Sequence, residues 1–137
     1  MKVVLPIRDR DVLNRCFEIA REHDAVRKEG DRLSWELLLV VGFNTSFRVS
    51  DLVKLKVKDV RGQDFVRVTA QKTGKEARIA MNNKVRTAIG KLTEGRGPNE
   101  WLFLSRQRDS KTLGRRAISR QRAYQIINEV CRAAGVK

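Results

Sequence analysis

The chain has 137 residues, 41% of them apolar and 34% charged, with a formal net charge of +14. That length holds one domain with its own core, and that apolar share excludes an intrinsically disordered chain. No run reaches the ~18 apolar residues of a membrane span, and MKVVLPIRDRD turns charged before a signal core can form, so a soluble, cytoplasmic protein without a membrane partner is expected.

The charge is unevenly placed. Residues 1–47 carry eight Lys/Arg and eight Asp/Glu, residues 48–78 nine and four, residues 79–104 four and two, and residues 105–137 nine and two. All the excess begins at Arg48. Because like charges repel, such asymmetry points to a polyanionic partner, with nucleic acid first among them. A ribosome-associated RNA binder has the same composition, and only a motif separates the two.

A first helix is predicted from Asp9 to His23, where Leu13, Cys16, Phe17 and Ala20 keep the i, i+3, i+4, i+7 spacing of one apolar face. EHDAVRKEGD breaks that pattern. LSWELLLVVGF is apolar nearly all round, the mark of a helix buried on most sides, and is expected to be the centre of the core. NTS ends it, and Ser46 is expected to cap a short helix whose Val49, Leu52 and Val53 face inward.

After Asp59 the period changes to two. FVRVTA alternates Val66, Val68 and Ala70 with Phe65, Arg67 and Thr69; EARIAM alternates Ala77, Ile79 and Met81 with Glu76, Arg78 and Ala80. QKTGK between them, with Gly74 free to take positive φ, predicts an antiparallel hairpin with a lysine-bearing tip. Asn82 or Asn83 caps the next helix, whose apolar face is Val85, Ala88, Ile89 and Leu92. EGRGPNE is a loop, WLFL a short buried strand, and SRQRDSKTLGRRA a basic loop without periodicity. The last helix opens at Ser119 and buries Ala123, Ile126, Ile127 and Val130. The expected fold class is α+β: helix-rich, with a small antiparallel hairpin packed at one edge.

Chemistry is narrowed by what is scarce. His23 is the single histidine and lies in a charged stretch expected to be exposed, which removes the hydrolase triads and most metal sites. Cys16 and Cys131 each sit in a helical pattern without metal-type neighbours, so both are expected to be buried thiols rather than a bridge. QKTGKE lacks the spacing of a Walker loop. What remains is cationic. Arg48 follows a rigid buried helix, which suits a guanidinium held still for a phosphate. The plainer alternative is that Arg48 caps its helix or pairs with Asp51 at i+3.

GFNTSFRVSDLVKLKVKDV, residues 42–60, resembles the first-arginine motif of the tyrosine recombinase, or phage integrase, family, roughly G-x-N-T-G-L-R-x-S-D/E-L-x-x-L-x-x-x-D-V. Ser46-Phe47 stands where the family has Gly-Leu. PIRD, QKTGKEARI, WLFLSR and ISRQRAYQIINEVCRAAGV follow in the family's order, so the resemblance is collinear over nearly the whole chain. It implies the larger N-terminal part of a recombinase catalytic domain, residues 1–137, acting on double-stranded DNA in integration and recombination. Arg48 would be the first of two arginines gripping the scissile phosphate, and Asp51 its acidic support. Lys72 would be the hairpin lysine that protonates the leaving 5′ oxygen, with Lys75 the second candidate.

The reaction so implied uses no cofactor or metal: a tyrosine attacks the phosphate, forms a 3′-phosphotyrosyl link, and a 5′ hydroxyl later reverses it. The family's H-x-x-R motif and nucleophilic tyrosine lie beyond AAGV. Tyr124, the one tyrosine present, is upstream of that place and is not expected to be the nucleophile, so this polypeptide by itself is expected to be inactive. Apolar surface on the central helix is expected to be left uncovered. DNA contacts are expected from Arg115, Arg116, Ser119, Arg120 and Arg122 around the start of the last helix, which in the family approaches the major groove. Synapsis in the family is tetrameric, whereas this polypeptide is expected to be monomeric or weakly associated. A basic DNA-binding regulator that kept the scaffold and lost the chemistry is the alternative reading.

Overall fold

A computed structural model describes residues 10–27, 33–45, 48–69, 74–108 and 115–135. Its elements are helices α1 (Arg10–Ala25), α2 (Trp35–Thr45), α3 (Val49–Leu52) and α4 (Val57–Val60), strands β1 (Phe65–Thr69) and β2 (Glu76–Ala80), helix α5 (Asn83–Leu92), strands β3 (Leu104–Arg108) and β4 (Arg115–Ala117), and helix α6 (Arg120–Ala133). The expected α+β class holds. Helices dominate, and the strands form two separate antiparallel pairs, β1 with β2 and β3 with β4.

The all-round apolar pattern of α2 has the predicted result. Trp35 and every residue from Leu37 to Gly42 are buried, and α1, α3, α5 and α6 all pack against this one helix. A buried helix start needs partners for its free N–H groups. Asp24, at the end of α1, provides them: its carboxylate accepts hydrogen bonds from the Ser34 hydroxyl (2.8 Å), the Trp35 amide (2.9 Å) and the Glu36 amide (3.1 Å). Ser34 in turn accepts from the Leu37 amide at 3.1 Å. The first two helices are thus locked by one side chain.

His23 departs from expectation. Its ring stacks on Trp35 with centroids 3.5 Å apart and planes 11° from parallel, and its side chain is only 31% exposed. The charged neighbours in sequence hid an aromatic partner twelve positions away. The uncovered apolar surface expected on α2 is also absent among its described residues; only Phe43 is half-buried, edge-on to Phe17 with centroids 6.0 Å apart.

Cys16 is buried and Cys131 half-buried, both as free thiols. They face each other between α1 and α6. Burial pushes the Cys16 thiol up, and burial together with the neighbouring Cys16 pushes Cys131 up from its ordinary 9.0 to about 11. Below the unfolded value both states carry the proton, so stability is unaffected there; above it the unfolded chain ionises first, and stability falls until the folded thiol ionises too. The thermal midpoint is therefore expected to drop between pH 9.0 and about 11, and to drop less in Cys131→Ala. Equal drops in both proteins would count against it.

The first hairpin is antiparallel as predicted, with Phe65 opposite Ala80 through Thr69 opposite Glu76, and Gly74 takes φ +66° beside its tip. Val66 is fully buried, as its parity requires. Asn82 is the α5 cap, accepting from the Val85 amide at 2.9 Å. Two elements escape the sequence reading. Helix α4 is a single turn held by the Asp59 carboxylate, which accepts from the Lys56 amide at 2.8 Å. The basic stretch after WLFL is not simply a loop: it carries β3 and β4, paired Leu104 to Ala117 and Arg108 to Arg115 with an irregularity between. WLFL itself is buried as predicted at Leu102, Phe103 and Leu104, yet only Leu104 belongs to a strand.

Candidate nucleic-acid interface

The placement of Arg48 begins inside the core. Gly42 lets α3 come close to α2, since a Cβ there would meet the Leu52 Cδ1 at 3.4 Å. Val49 and Leu52 are completely buried, which fixes the short helix from beneath. Arg48 itself occupies the cap position, with φ −64° and ψ 149°. Its carbonyl accepts from the amides of Asp51 (2.9 Å) and Leu52 (3.0 Å). Ser46, expected as the cap, lies outside the described residues, and the turn begins two residues later than that reading placed it.

With its backbone committed, the Arg48 side chain stands exposed. It makes no capping bond and, among the described residues, no ion pair with Asp51. Asp51 is half-buried and its carboxylate likewise has no partner among them. The plainer explanation of Arg48 is thus half realised: Arg48 caps its helix through the backbone, while among the described residues neither a side-chain cap nor an i, i+3 pair engages its guanidinium. Elsewhere the motif is structural: Asn44 and Thr45 donate back to the carbonyls of Val40 (2.7 Å) and Val41 (2.8 Å), and Asp59 holds α4.

Many of the other cations are engaged. Arg61 Nη1 donates to the carbonyls of Thr93 (2.9 Å) and Arg96 (2.7 Å). Arg96, only 14% exposed, donates to the Leu102 (3.0 Å) and Trp101 (2.5 Å) carbonyls and pairs with Glu100 at 3.4 Å. The Lys56 ammonium lies 5.0 Å from the Trp101 ring centre, and the Arg78 guanidinium 4.7 Å from that of Phe65. Arg67 pairs with Glu76 at 3.5 Å, and Arg86 with Asp64 at 3.2 Å. The sequence could not separate these from binding residues, because their carbonyl, ring and carboxylate partners are brought to them by turns and strand pairing that charge spacing does not show.

The remaining candidates fall at three places: the first hairpin, β4 and the start of α6. Lys75 is exposed beside the first hairpin's tip, and Lys72 lies outside the described residues. Arg115 belongs to β4, with a side chain outside the described part, and Arg116 next to it is exposed. Ser119 caps α6, its hydroxyl accepting from the Arg122 amide at 3.1 Å, and the side chains of Arg120 and Arg122 are exposed and have no partner among the described residues. Helix α6 also packs against α3. The helix that carries the unpaired arginines and the turn that carries Arg48 therefore share one buried contact.

Comparison with known proteins bears on the family and the fold. The profile of the phage integrase family matches residues 9–137. The chain belongs to that family. Among phage integrase relatives, it is 34% identical over 100 residues to the probable integrase/recombinase YoeC of Bacillus subtilis (strain 168), covering 73% of this chain and 52% of that protein. It is 28% identical over 109 residues to the tyrosine recombinase XerA of Pyrococcus furiosus, covering 78% of this chain and 37% of the relative. A crystal structure of XerA recombinase superposes with a TM-score of 0.67 at 19% identity, over 100% of this chain and 45% of that one, which shows a shared fold. The chain thus spans about half or less of each relative.

Proposed function

We propose that this chain is the phosphate-gripping part of a site-specific DNA recombinase, and that Arg48 is the first arginine of its clamp. One observation carries this reading: Arg48 has an exposed guanidinium, unpaired among the described residues, on a backbone fixed by two fully buried side chains. A backbone fixed before the phosphate arrives sets where the fork can reach, the unpaired guanidinium gives up no protein partner on binding, and its charge persists at any working pH. Asp51, half-buried one turn on, keeps the local field from repelling the fork into solvent. Lys72, with Lys75 as second candidate, donates the proton to the 5′ oxygen as the P–O bond breaks and a tyrosine oxygen takes its place on phosphorus. Arg116, Ser119, Arg120 and Arg122, with Arg115 beside them, hold the neighbouring DNA backbone.

The 137-residue polypeptide by itself lacks both a second arginine motif of H-x-x-R form and a suitably placed tyrosine. It is expected to bind duplex DNA with an affinity that falls steeply with salt, and Arg48→Ala should lower the slope of log K against log salt by about 1. A suicide duplex that traps phosphotyrosyl links should yield no covalent adduct. Binding indifferent to salt would remove the phosphate role, and an adduct lost in Tyr124→Phe would make Tyr124 the nucleophile instead.

A further inference from the structure

Helices α1 and α5 both pack on α2 and hardly on each other, so a groove runs between them with α2 as its floor. Two adjoining hollows of about 460 and 620 Å³ make up this groove, with Arg21, Glu36, Lys84 and Ala88 in the walls of both. Leu13, Phe17, Val40, Phe43, Val85 and Ala88 line the first, and all of them except Val40 and Val85 keep part of their surface open. A contiguous apolar lining rimmed by polar groups is the mark of a contact site rather than of chance exposure.

The rim is charged on one side. Arg21 is offset by Glu36 at 3.2 Å. Lys84 and Lys91, on the α5 wall, are exposed and have no partner among the described residues. Seven residues apart, they stand on one face of α5, about 10 Å from each other along the axis at 1.5 Å per residue. The opposite walls offer the uncharged Asn14 and Asn44.

A helix laid along this groove would set an apolar ridge on the floor and run one polar edge past the two lysines. That edge has to be acidic to match them. This chain does not supply such a helix. Its exposed large apolar residues among those described are Val26, Phe65 and Tyr124, at three separate places. Residues 1–9 carry Lys2 and Arg8 against Asp9, and a second copy brings a further +14, so both have the sign of the rim. Duplex DNA matches the lysines but not the apolar floor.

We propose that the groove between α1, α2 and α5 is a docking site for an amphipathic helix of another protein, with carboxylates seven residues apart on the edge that meets Lys84 and Lys91. None of the groove residues is among those proposed above to grip DNA, so the two bindings are separate. The probe is a displayed library of helices of about 16 residues, each with a leucine ridge and with both edges randomised among Asp, Glu, Lys and Ser, selected against the 137-residue chain. The enriched pool should carry acidic residues seven apart on one edge and no such bias on the other.

Lys84→Glu combined with Lys91→Glu should weaken a selected peptide about tenfold in fluorescence anisotropy while leaving the circular dichroism and the salt slope of duplex binding unchanged. Replacing the peptide's two carboxylates by lysine should restore its affinity for that double variant, which a lost fold could not do. A pool without acidic bias, an affinity indifferent to the double variant, or a selected peptide displaced by duplex DNA overturns the inference. So does another occupant: a dimer that Ala88→Arg dissociates in sedimentation, or peptide binding that begins only when residues 1–9 are removed.

Discussion

Arg96→Ala is expected to cost about 3 kcal/mol of folding stability and to leave the salt dependence of duplex binding where it was. The size follows from what the guanidinium satisfies. It donates to the carbonyls of Leu102 and Trp101 and pairs with Glu100, whose other oxygen accepts from the Gly97 amide at 2.7 Å. The carbonyl of Arg96 itself receives Arg61. Removing the side chain leaves acceptors beside the fully buried Phe103 without donors, and a buried group left unpaired costs about 1–3 kcal/mol. Lysine would carry the charge but not the fork, so Arg96→Lys should recover less than half. Urea denaturation decides the matter: a loss below about 1 kcal/mol would mean that water replaces the guanidinium.

The opposite pattern is expected for Arg120→Ala combined with Arg122→Ala. Both side chains are exposed, and the one hydrogen bond involving either residue at the helix start uses the Arg122 backbone amide, which alanine keeps. Stability should move by no more than about 0.5 kcal/mol. Duplex affinity should fall by tenfold or more at low salt, and the salt slope should decrease by about 2, one released counterion for each lost phosphate contact. An unchanged slope in the double variant would reassign this pair to a solvated face. Taken with Arg96, the two experiments separate those cations of the +14 chain that hold the protein together from those proposed to meet DNA.

Sequence patterns were most legible where one periodicity ran undisturbed. The core of α2, the apolar faces of α5 and α6, the Asn82 and Ser119 caps and the antiparallel pairing of the first hairpin all follow from local spacing and turn chemistry. Helix α4 could not be seen that way, because a single turn has no period and its lock is one carboxylate, Asp59. The β3–β4 pair was hidden because Arg115, Arg116 and their neighbours carry no alternation; the pair is held instead by backbone bonds, extended where the Ile118 amide meets the Phe103 carbonyl at 2.9 Å. For the site, the motif around Arg48 located the residue, but only the fold revealed that its guanidinium is unpaired. Composition likewise overstated the charge available to a polyanion, since carbonyls and aromatic rings of the protein itself occupy Arg61, Arg96, Lys56 and Arg78.

Gly42 gives this architecture a hidden adjustment screw. The turn bearing Arg48 rests on Leu52, and Leu52 rests where Gly42 has no side chain. A methyl there would come into van der Waals contact with the leucine at 3.4 Å, and anything bulkier would have to tilt the turn or push α2 away. Selection experiments seeking recombinases with altered reach could therefore find their solutions at a position that never sees solvent, one methylene at a time.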